Sequence, residues 1–335
     1  MRTIKFTSIC TVFVLCSVGL AFTSCYWQFN YNDCDYNNAI KGNQKLITQE
    51  INITDYDKIE LIGNMMLNYQ QSDKAPYFQI TIDDNLLSYI DIYVENKTLI
   101  IAPKRNKTRH IVIRPTKCII NTNSTGLINV NNLGSGIINF VSDIKTDKLV
   151  CAVVGSGNIT STTSVTAEQL DVKVSGSGNT SLHGDIGICN ISIAGSGGAS
   201  LGGKTNNCKV NVSGSGSASL GGEINTCDIG IAGSGEASFN GKADNCKLTI
   251  SGSGEASLSG EINTCNIGIV GSGKIGSYNC SVKDLTCKIS GSGDVKLHVE
   301  NTISCSISGS GSLQYTGNPV ITKQIITGSG KIIKQ

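Results

Sequence analysis

The tripeptide Gly-Ser-Gly recurs from residue 134 onward at nearly constant intervals. Successive copies are separated by 21, 21, 19, 19, 19, 19, 19, 20, 18 and 19 residues. A fixed period of this length is typical of a solenoid, in which each repeat is one coil that buries its apolar face only against its neighbours. This repeat therefore constrains the fold more than any other sequence feature. The eleven copies begin at Gly134, Gly155, Gly176, Gly195, Gly214, Gly233, Gly252, Gly271, Gly291, Gly309 and Gly328.

Each interval between tripeptides carries two short runs of alternating apolar residues. One coil has Ala199 and Leu201 after its tripeptide, and Cys208, Val210 and Val212 before the next. Such alternation is typical of strands with one buried face. Two strands and two turns in about 19 residues predict an all-β fold, a single-stranded parallel β-helix of the usual right-handed sense. Rungs spaced roughly 4.8 Å apart would make the ten intervals a rod of about 48 Å.

Gly-Ser-Gly is interpreted as the corner of each coil, where glycine adopts positive φ and lets coils approach closely. A phosphate-binding loop would need a following helix and usually a lysine, and neither accompanies the tripeptide. Calcium-binding nonapeptide repeats have a different period and a recurring aspartate. The corners are therefore predicted to be structural, at Gly176, Gly195, Gly214, Gly233, Gly252 and Gly271.

Composition excludes two other interpretations. The chain has 335 residues with 39 glycines at a fixed period and 4 prolines, which differs from an aperiodic Gly/Ser linker. The net charge is +2, charged residues make up 16%, and no arginine lies beyond Arg114 to bind phosphate groups. We therefore expect one continuous solenoid that does not bind nucleic acid.

Charges alternate in sign along two predicted ladders of equivalent positions. Opposite charges in successive coils attract, which fixes the register and contributes about 0.2 to 1 kcal/mol for each exposed pair. Glu236 and Glu255 break this rule by stacking alike, so they are the candidate position for a cation, with solvent screening as the alternative explanation. The ladders are Asp185, Lys204, Glu223, Lys242 and Glu261, and Lys209, Asp228 and Lys247.

Cysteine is the most prominent candidate for chemistry, with 14 in the chain. We predict small buried side chains stacked in columns; disulfides between rungs are the main alternative, because an exported protein meets oxidants. Zinc requires four ligands that converge on a point, whereas one thiol per coil forms a line, so no metal site is predicted. Cys34, Cys118 and Cys280 fall outside the columns and are expected to be more reactive. The columns are Cys189, Cys208, Cys227, Cys246 and Cys265, and Cys151, Cys287 and Cys305.

The N-terminus has the layout of a secretory signal. Arg2 and Lys5 precede an apolar run from Ile9 to Ala21 that is too short to be read as a membrane-spanning helix. The sequence Phe22-Thr23-Ser24-Cys25 resembles a bacterial lipoprotein cleavage box, which implies lipidation of Cys25. Ordinary signal cleavage and an uncleaved anchor are the alternatives. We assign 1–25 to the signal peptide and 26–45 to a polar tether.

Residues 46–133 read as short β-strands that form the N-terminal coils and cap, before the repeats at 134–335. The runs Ile53–Leu61, Asp84–Leu87 and Tyr93–Ile101, followed by the Gly-Ser-Gly repeats, resemble the head GIN domain family of auto-transporter adhesins. The resemblance covers residues 45 to 335. It implies a parallel β-helix on an exported, often lipid-anchored protein of Gram-negative bacteria, and it supplies no catalytic residues and no cofactor.

These observations predict a lipid-anchored β-helix of the cell envelope, attached to the outer membrane, that acts as an adhesin-like or structural surface element. Its expected partners are a surface glycan or protein ligand, and a second copy covering the exposed C-terminal coil in an end-to-end homodimer. A passive envelope spacer is one alternative and a polysaccharide-active enzyme another. Catalysis is disfavoured because His110, His183 and His298 lie far apart in the sequence.

Overall fold

The computed structural model of the protein describes residues 39–106 and 109–335. Within these ranges the chain is almost entirely β-strand, and its one helical segment is a 3-10 turn at Leu87–Tyr89. Parallel coils about 19 residues apart stack into a β-solenoid of about 11 turns, which confirms the predicted fold class. The predicted signal peptide and most of the tether, with Cys25 and Cys34, lie outside the described residues.

The N-terminal part contains short strands. None of them exceeds seven residues, and several pair antiparallel. These strands are β1 (Ile40–Lys41), β2 (Leu46–Ile51), β3 (Lys58–Gly63), β4 (Met66–Gln71), β5 (Phe78–Asp83), β6 (Ile90–Glu95), β7 (Thr98–Pro103), β8 (Arg105–Asn106), β9 (Arg109–His110), β10 (Ile113–Arg114) and β11 (Cys118–Ser124).

The repeat region continues with strands that pair in parallel with the preceding coil. These strands are β12 (Asn129–Gly134), β13 (Ile137–Phe140), β14 (Ile144–Gly155), β15 (Asn158–Ser161), β16 (Val165–Gly176), β17 (Asn179–Gly195), β18 (Gly198–Gly214), β19 (Ser217–Gly233), β20 (Glu236–Gly252), β21 (Glu255–Gly271), β22 (Lys274–Gly291), β23 (Asp294–Gly309), β24 (Ser312–Thr316), β25 (Val320–Gly328) and β26 (Lys331–Lys334).

The middle coils differ from the predicted pattern of two strands and two turns. Each of β17 to β21 is one strand of 17 residues, interrupted only at the Ser-Gly of the next corner. The second bend lies inside the strand, at glycines of positive φ such as Gly203 (+108°) and Gly222 (+101°). The ladder continues across this bend, because the adjacent Lys204 and Glu223 remain paired. A coil can therefore turn here without losing a rung hydrogen bond.

The first coil begins earlier than the tripeptides indicate. Gly63 stacks under Gly134 in parallel register and has a φ of +102°. The amide of Ser135 donates to the Gly63 carbonyl at 3.1 Å, and the amide of Ile137 donates to the Met65 carbonyl at 2.8 Å. Gly63-Asn64-Met65 therefore forms a corner in place of Gly-Ser-Gly. The sequence alone indicated only a polar turn at this position.

The N-terminal cap ends the solenoid by reversing strand direction. On one side β7 pairs parallel with β3, and β6 then pairs antiparallel with β7. On another side β11 pairs parallel with β4, followed by antiparallel β5 and β2. Buried aromatic rings fill this end: Tyr69 makes edge contacts with Tyr56 and Phe140. The apolar interior runs without a break from this cap into the repeat coils.

Asp83 is a buried carboxylate that joins two segments of the cap. Its oxygens accept hydrogen bonds from the backbone amides of Gln44 and Thr116, each at 2.8 Å. Desolvation raises the pKa of Asp83, but the hydrogen bonds from Thr116 and Gln44 outweigh it, so the pKa lies below its ordinary value. The ionised carboxylate is therefore the form that the fold stabilises.

We expect acid to destabilise the cap through Asp83. Because the folded-state pKa is lowered, the contribution is complete above the unfolded-state value of about 3.9 and is lost as the pH falls through the folded-state pKa. Asp83→Asn should lower the thermal midpoint at neutral pH and flatten its decline in acid, because an amide accepts only one of the two bonds. The exposed neighbour Asp84→Asn is the control, and identical pH profiles for wild type and Asp83→Asn would contradict this assignment.

Candidate functional site

The Gly-Ser-Gly corners use their own backbone amides to hold the preceding coil. The amides of Ser196 and Gly197 both donate to the carbonyl of Gly176, at 2.9 and 2.8 Å. A Cβ atom added at Gly197 would lie 2.3 Å from the carbonyl oxygen of Gly178. These amides already have partners, so they do not form an open cradle for an anion. All six glycines predicted as corners have positive φ, at Gly176, Gly195, Gly214, Gly233, Gly252 and Gly271.

The predicted five-residue cysteine column is in register in the structure. Cys189, Cys208, Cys227, Cys246 and Cys265 occupy successive rungs, and we call these five residues the cysteine column. Their side chains are at most 2% exposed. The ten cysteines within the described ranges are all buried and free of disulfides. Of the second predicted column, Cys287 pairs with Cys305, whereas Cys151 lies between Val130 and Val172.

The size of the coil accounts for cysteine at these rungs. The five cysteines lie in the consecutive 19-residue intervals that begin at Gly176. In the longer intervals before and after them, the same inward column holds Leu149, Leu170 and Leu285. A shorter coil encloses less interior volume, and a thiol fills less of it than a leucine side chain. We therefore propose that the cysteine column has a packing role, as predicted.

The expected reactivity of Cys118 and Cys280 is wrong. Cys118 opens β11 inside the cap and is 9% exposed, and Cys280 is fully buried. Cys280 occupies an inward position because an irregularity in β22 pairs it with Gly260. Burial raises the pKa of both thiols to about 12, so neither is a ready nucleophile.

The predicted charge ladders lie on the outer surface in the expected register. Three ion pairs join successive coils: Lys204 Nζ to Glu223 Oε2 at 3.2 Å, Lys242 Nζ to Glu261 Oε2 at 3.0 Å, and Lys247 Nζ to Asp228 Oδ2 at 3.2 Å. All six side chains are at least 40% exposed. Each pair therefore stabilises the fold only slightly, by about 0.2 to 1 kcal/mol.

A row of serines follows one outward side of the coils. Ser181, Ser200, Ser219, Ser238 and Ser257 stack in register, and we call these five residues the serine face. The Ser238 hydroxyl donates to Ser219 Oγ at 3.1 Å. Sequence analysis did not single out these serines, although their spacing of 19 residues was a readable signal. The row presents hydroxyl groups roughly 4.8 Å apart on a surface without bulky side chains.

Two shallow depressions lie on the outer surface. One has a volume of about 410 Å³ and lies on the serine face, beside the stacked carboxylates Glu236 and Glu255. The other has a volume of about 540 Å³ and lies at a corner lined by Lys145, Glu168 and Asp185. Both are open to solvent. In the part of the chain that the structure describes, no three or more His, Cys, Asp or Glu side chains are grouped to hold a metal ion.

The described histidines do not form a catalytic group with one another. His183 lies in β17 and His298 in β23, several coils apart. The His298 ring nitrogen Nδ1 is within 2.9 Å of the Thr316 hydroxyl. The side chain of His110 lies outside the described environments. The functional surfaces are therefore the polar outer faces of a parallel β-solenoid.

This architecture matches a known class of solenoid proteins. The chain belongs to the family described as "Putative auto-transporter adhesin, head GIN domain", which matches residues 55–225 and 220–319. This confirms the family that the sequence motifs resembled. Membership indicates an adhesin-like protein of the cell surface or envelope, and the family is described by adhesion rather than by an enzyme activity.

Similar solved structures span nearly the same part of the chain. A "Putative lipid binding protein" of Parabacteroides distasonis is 29% identical, covers 89% of this chain and 99% of its own, and has a TM-score of 0.44. A "putative adhesin" of Parabacteroides merdae is 24% identical with the same coverage and TM-score. One of Bacteroides fragilis is 20% identical, covers 89% and 100%, and has a TM-score of 0.32.

No curated protein matches the chain. Among the residues described, no helix has both the length and the apolar character needed to span a membrane.

Proposed function

We propose that this protein is an exported, non-enzymatic adhesin that binds an extended surface glycan along its solenoid. The observation that carries the proposal is the serine face, where five hydroxyl groups recur in register on successive coils. A polymer of repeating sugars can make similar hydrogen bonds at each rung. Each contact is weak, and many contacts along one chain give useful affinity. Membership in an adhesin family supports this role.

The glycan proposal is tested by blocking the serine face. Ser200→Arg places a bulky side chain on this face, whereas Asn211→Arg changes another exposed outward position of the same strand, β18. On a glycan array, Ser200→Arg should weaken binding of the recognised glycan about tenfold, and Asn211→Arg should bind like wild type. Absence of glycan binding by the wild type would favour the passive spacer. Release of new reducing ends from polysaccharides would instead indicate an enzyme.

The proposed location is the outer membrane, with a lipid on Cys25 as the anchor. The support is the lipoprotein-like sequence Phe22–Cys25 together with the adhesin family. Metabolic labelling with a fatty acid should label the wild type but not Cys25→Ala. Label that persists in the variant would refute the anchor. Proteolysis of intact cells then distinguishes the surface from the periplasmic face.

We also propose that the C-terminal coil pairs with the same coil of a second copy. Every residue of β25 is exposed, including Val320 at 66% and Ile325 at 46%. A second copy has the same outline around the whole coil, so it can cover all sides of this edge at once. Sedimentation should show a dimer that Ile325→Lys dissociates. A wild-type protein that stays monomeric at high concentration would contradict the pairing.

A further inference from the structure

The cysteine column concentrates nucleophilic groups in a way that packing alone does not require. Each of its thiols has another thiol on an adjacent rung, and side-chain interactions join Cys189 to Cys208, Cys227 to Cys246 and Cys246 to Cys265. A similar interaction joins Cys287 to Cys305. These groups lie in the apolar core and take no part in the surface function proposed above.

Disulfide formation does not suit this geometry. Side chains of parallel, in-register neighbours point in the same direction and are separated by about the rung spacing of 4.8 Å. An unstrained disulfide brings the two Cβ atoms to about 3.5 to 4.5 Å. Oxidation would therefore have to pull neighbouring rungs together along a ladder that is hydrogen-bonded on both sides. The thiols of the column remain available for another kind of bond.

A cation held by two sulfur atoms suits the same spacing. Two metal–sulfur bonds of about 2.3 Å, placed end to end, span about 4.6 Å. This is close to the rung spacing of roughly 4.8 Å. Soft thiolate ligands select soft ions such as Cu(I). Zinc is unsuitable because a tetrahedral site needs four ligands, whereas the column offers one neighbour above and one below.

We propose that adjacent thiols of the cysteine column bind a soft monovalent cation, Cu(I) or Ag(I), between two sulfur atoms. The reaction is 2 RSH + M⁺ → RS–M–S(H)R + H⁺. One S–H bond breaks, its proton leaves to solvent, two metal–sulfur bonds form, and no group is oxidised or reduced. The product is neutral, which avoids the large cost of burying a net charge in an apolar core.

The spacing of the thiols sets the capacity. Five successive thiols provide two separate adjacent pairs, and Cys287 with Cys305 provides a third. We therefore expect up to about three cations per chain. Because the column is closed to solvent, the cations enter as the coils assemble. Cys151, which lies between two valines, is not expected to bind one.

The experiment is refolding of the full chain with silver nitrate, without oxygen or competing thiols. After excess ion is removed, silver per folded chain is measured by mass spectrometry. Cys208→Ala with Cys246→Ala removes every adjacent pair in the column, so silver should fall from about three to about one. Cys189→Ala with Cys265→Ala also removes two thiols but leaves Cys208, Cys227 and Cys246 adjacent, so about two should remain.

Equal silver in the two double variants would overturn the proposal, because both lose the same number of thiols. X-ray absorption of the silver-loaded wild type gives a second measurement that does not depend on the variants folding. Two sulfur atoms around silver are expected. Three or more ligands, oxygen or nitrogen ligands, or folded protein that retains no silver would each refute the site.

Discussion

Replacing Gly222 by alanine should unfold the middle of the solenoid, with a loss of about 3 to 5 kcal/mol in the free energy of unfolding. Gly222 has a φ of +101°, which side chains rarely adopt. An added Cβ would also lie 2.0 Å from the Gly203 carbonyl oxygen. That oxygen belongs to the backbone of the previous coil, so no side-chain rotation relieves the contact. Chemical denaturation followed by circular dichroism measures the loss.

Gly221 provides the matched control one residue earlier. A Cβ atom there would have ordinary contact, at 3.6 Å, with the carbonyl oxygen of Asn240. Gly221→Ala should therefore change stability by no more than about 0.5 kcal/mol. A similar loss in both variants would mean that the second bend does not depend on glycine. A small loss only in Gly222→Ala would mean that neighbouring coils can separate locally.

Truncation of Phe239 should be the most damaging change to the apolar core. Phe239 is 1% exposed and stacks between Leu220 and Leu258 on the adjacent coils. Phe239→Ala should cost about 3 to 5 kcal/mol, because close-packed neighbours fill the resulting cavity only in part. Phe239→Leu is the control, since it continues the leucine ladder, and it should cost clearly less. Equal losses in denaturant unfolding would contradict a tightly packed interior at this coil.

Phe239 also compensates for a small residue in the same coil. The inward position four residues later is Ala243, whereas the adjacent coils have Ile224 and Ile262. Ala243→Ile alone should overpack the coil and cost about 1 to 3 kcal/mol. Combined with Phe239→Leu it reproduces the pattern of the neighbours, so the double variant should be more stable than Ala243→Ile. Additive losses would show that the two positions do not share one volume.

The sequence predicted the repeat coils well because their contacts recur at a fixed separation. The pairing of Lys204 with Glu223 and of Cys208 with Cys227 follows from counting 19 residues. The serine face obeyed the same rule. It was missed because attention fell on charge and sulfur, while a serine carries neither.

The N-terminal cap could not be read in this way. Gly63 stacks under Gly134 although 71 residues separate them, because β5, β6, β7 and β11 are inserted between the two corners. No constant interval announces such a contact. The burial of Cys118 and Cys280 was likewise hidden, since one depends on the cap and the other on an irregularity in β22.

For this protein the sequence by itself determined the fold class, the period and the register of the repeats, because each coil contacts only the coil one period away. The tertiary structure decided where the first corner lies, how strand reversal closes the N-terminal end, and that each middle coil is a single continuous strand. It also showed which side chains share one interior volume. Those features depend on contacts at irregular separations and on packing across a coil, which a one-dimensional period does not encode.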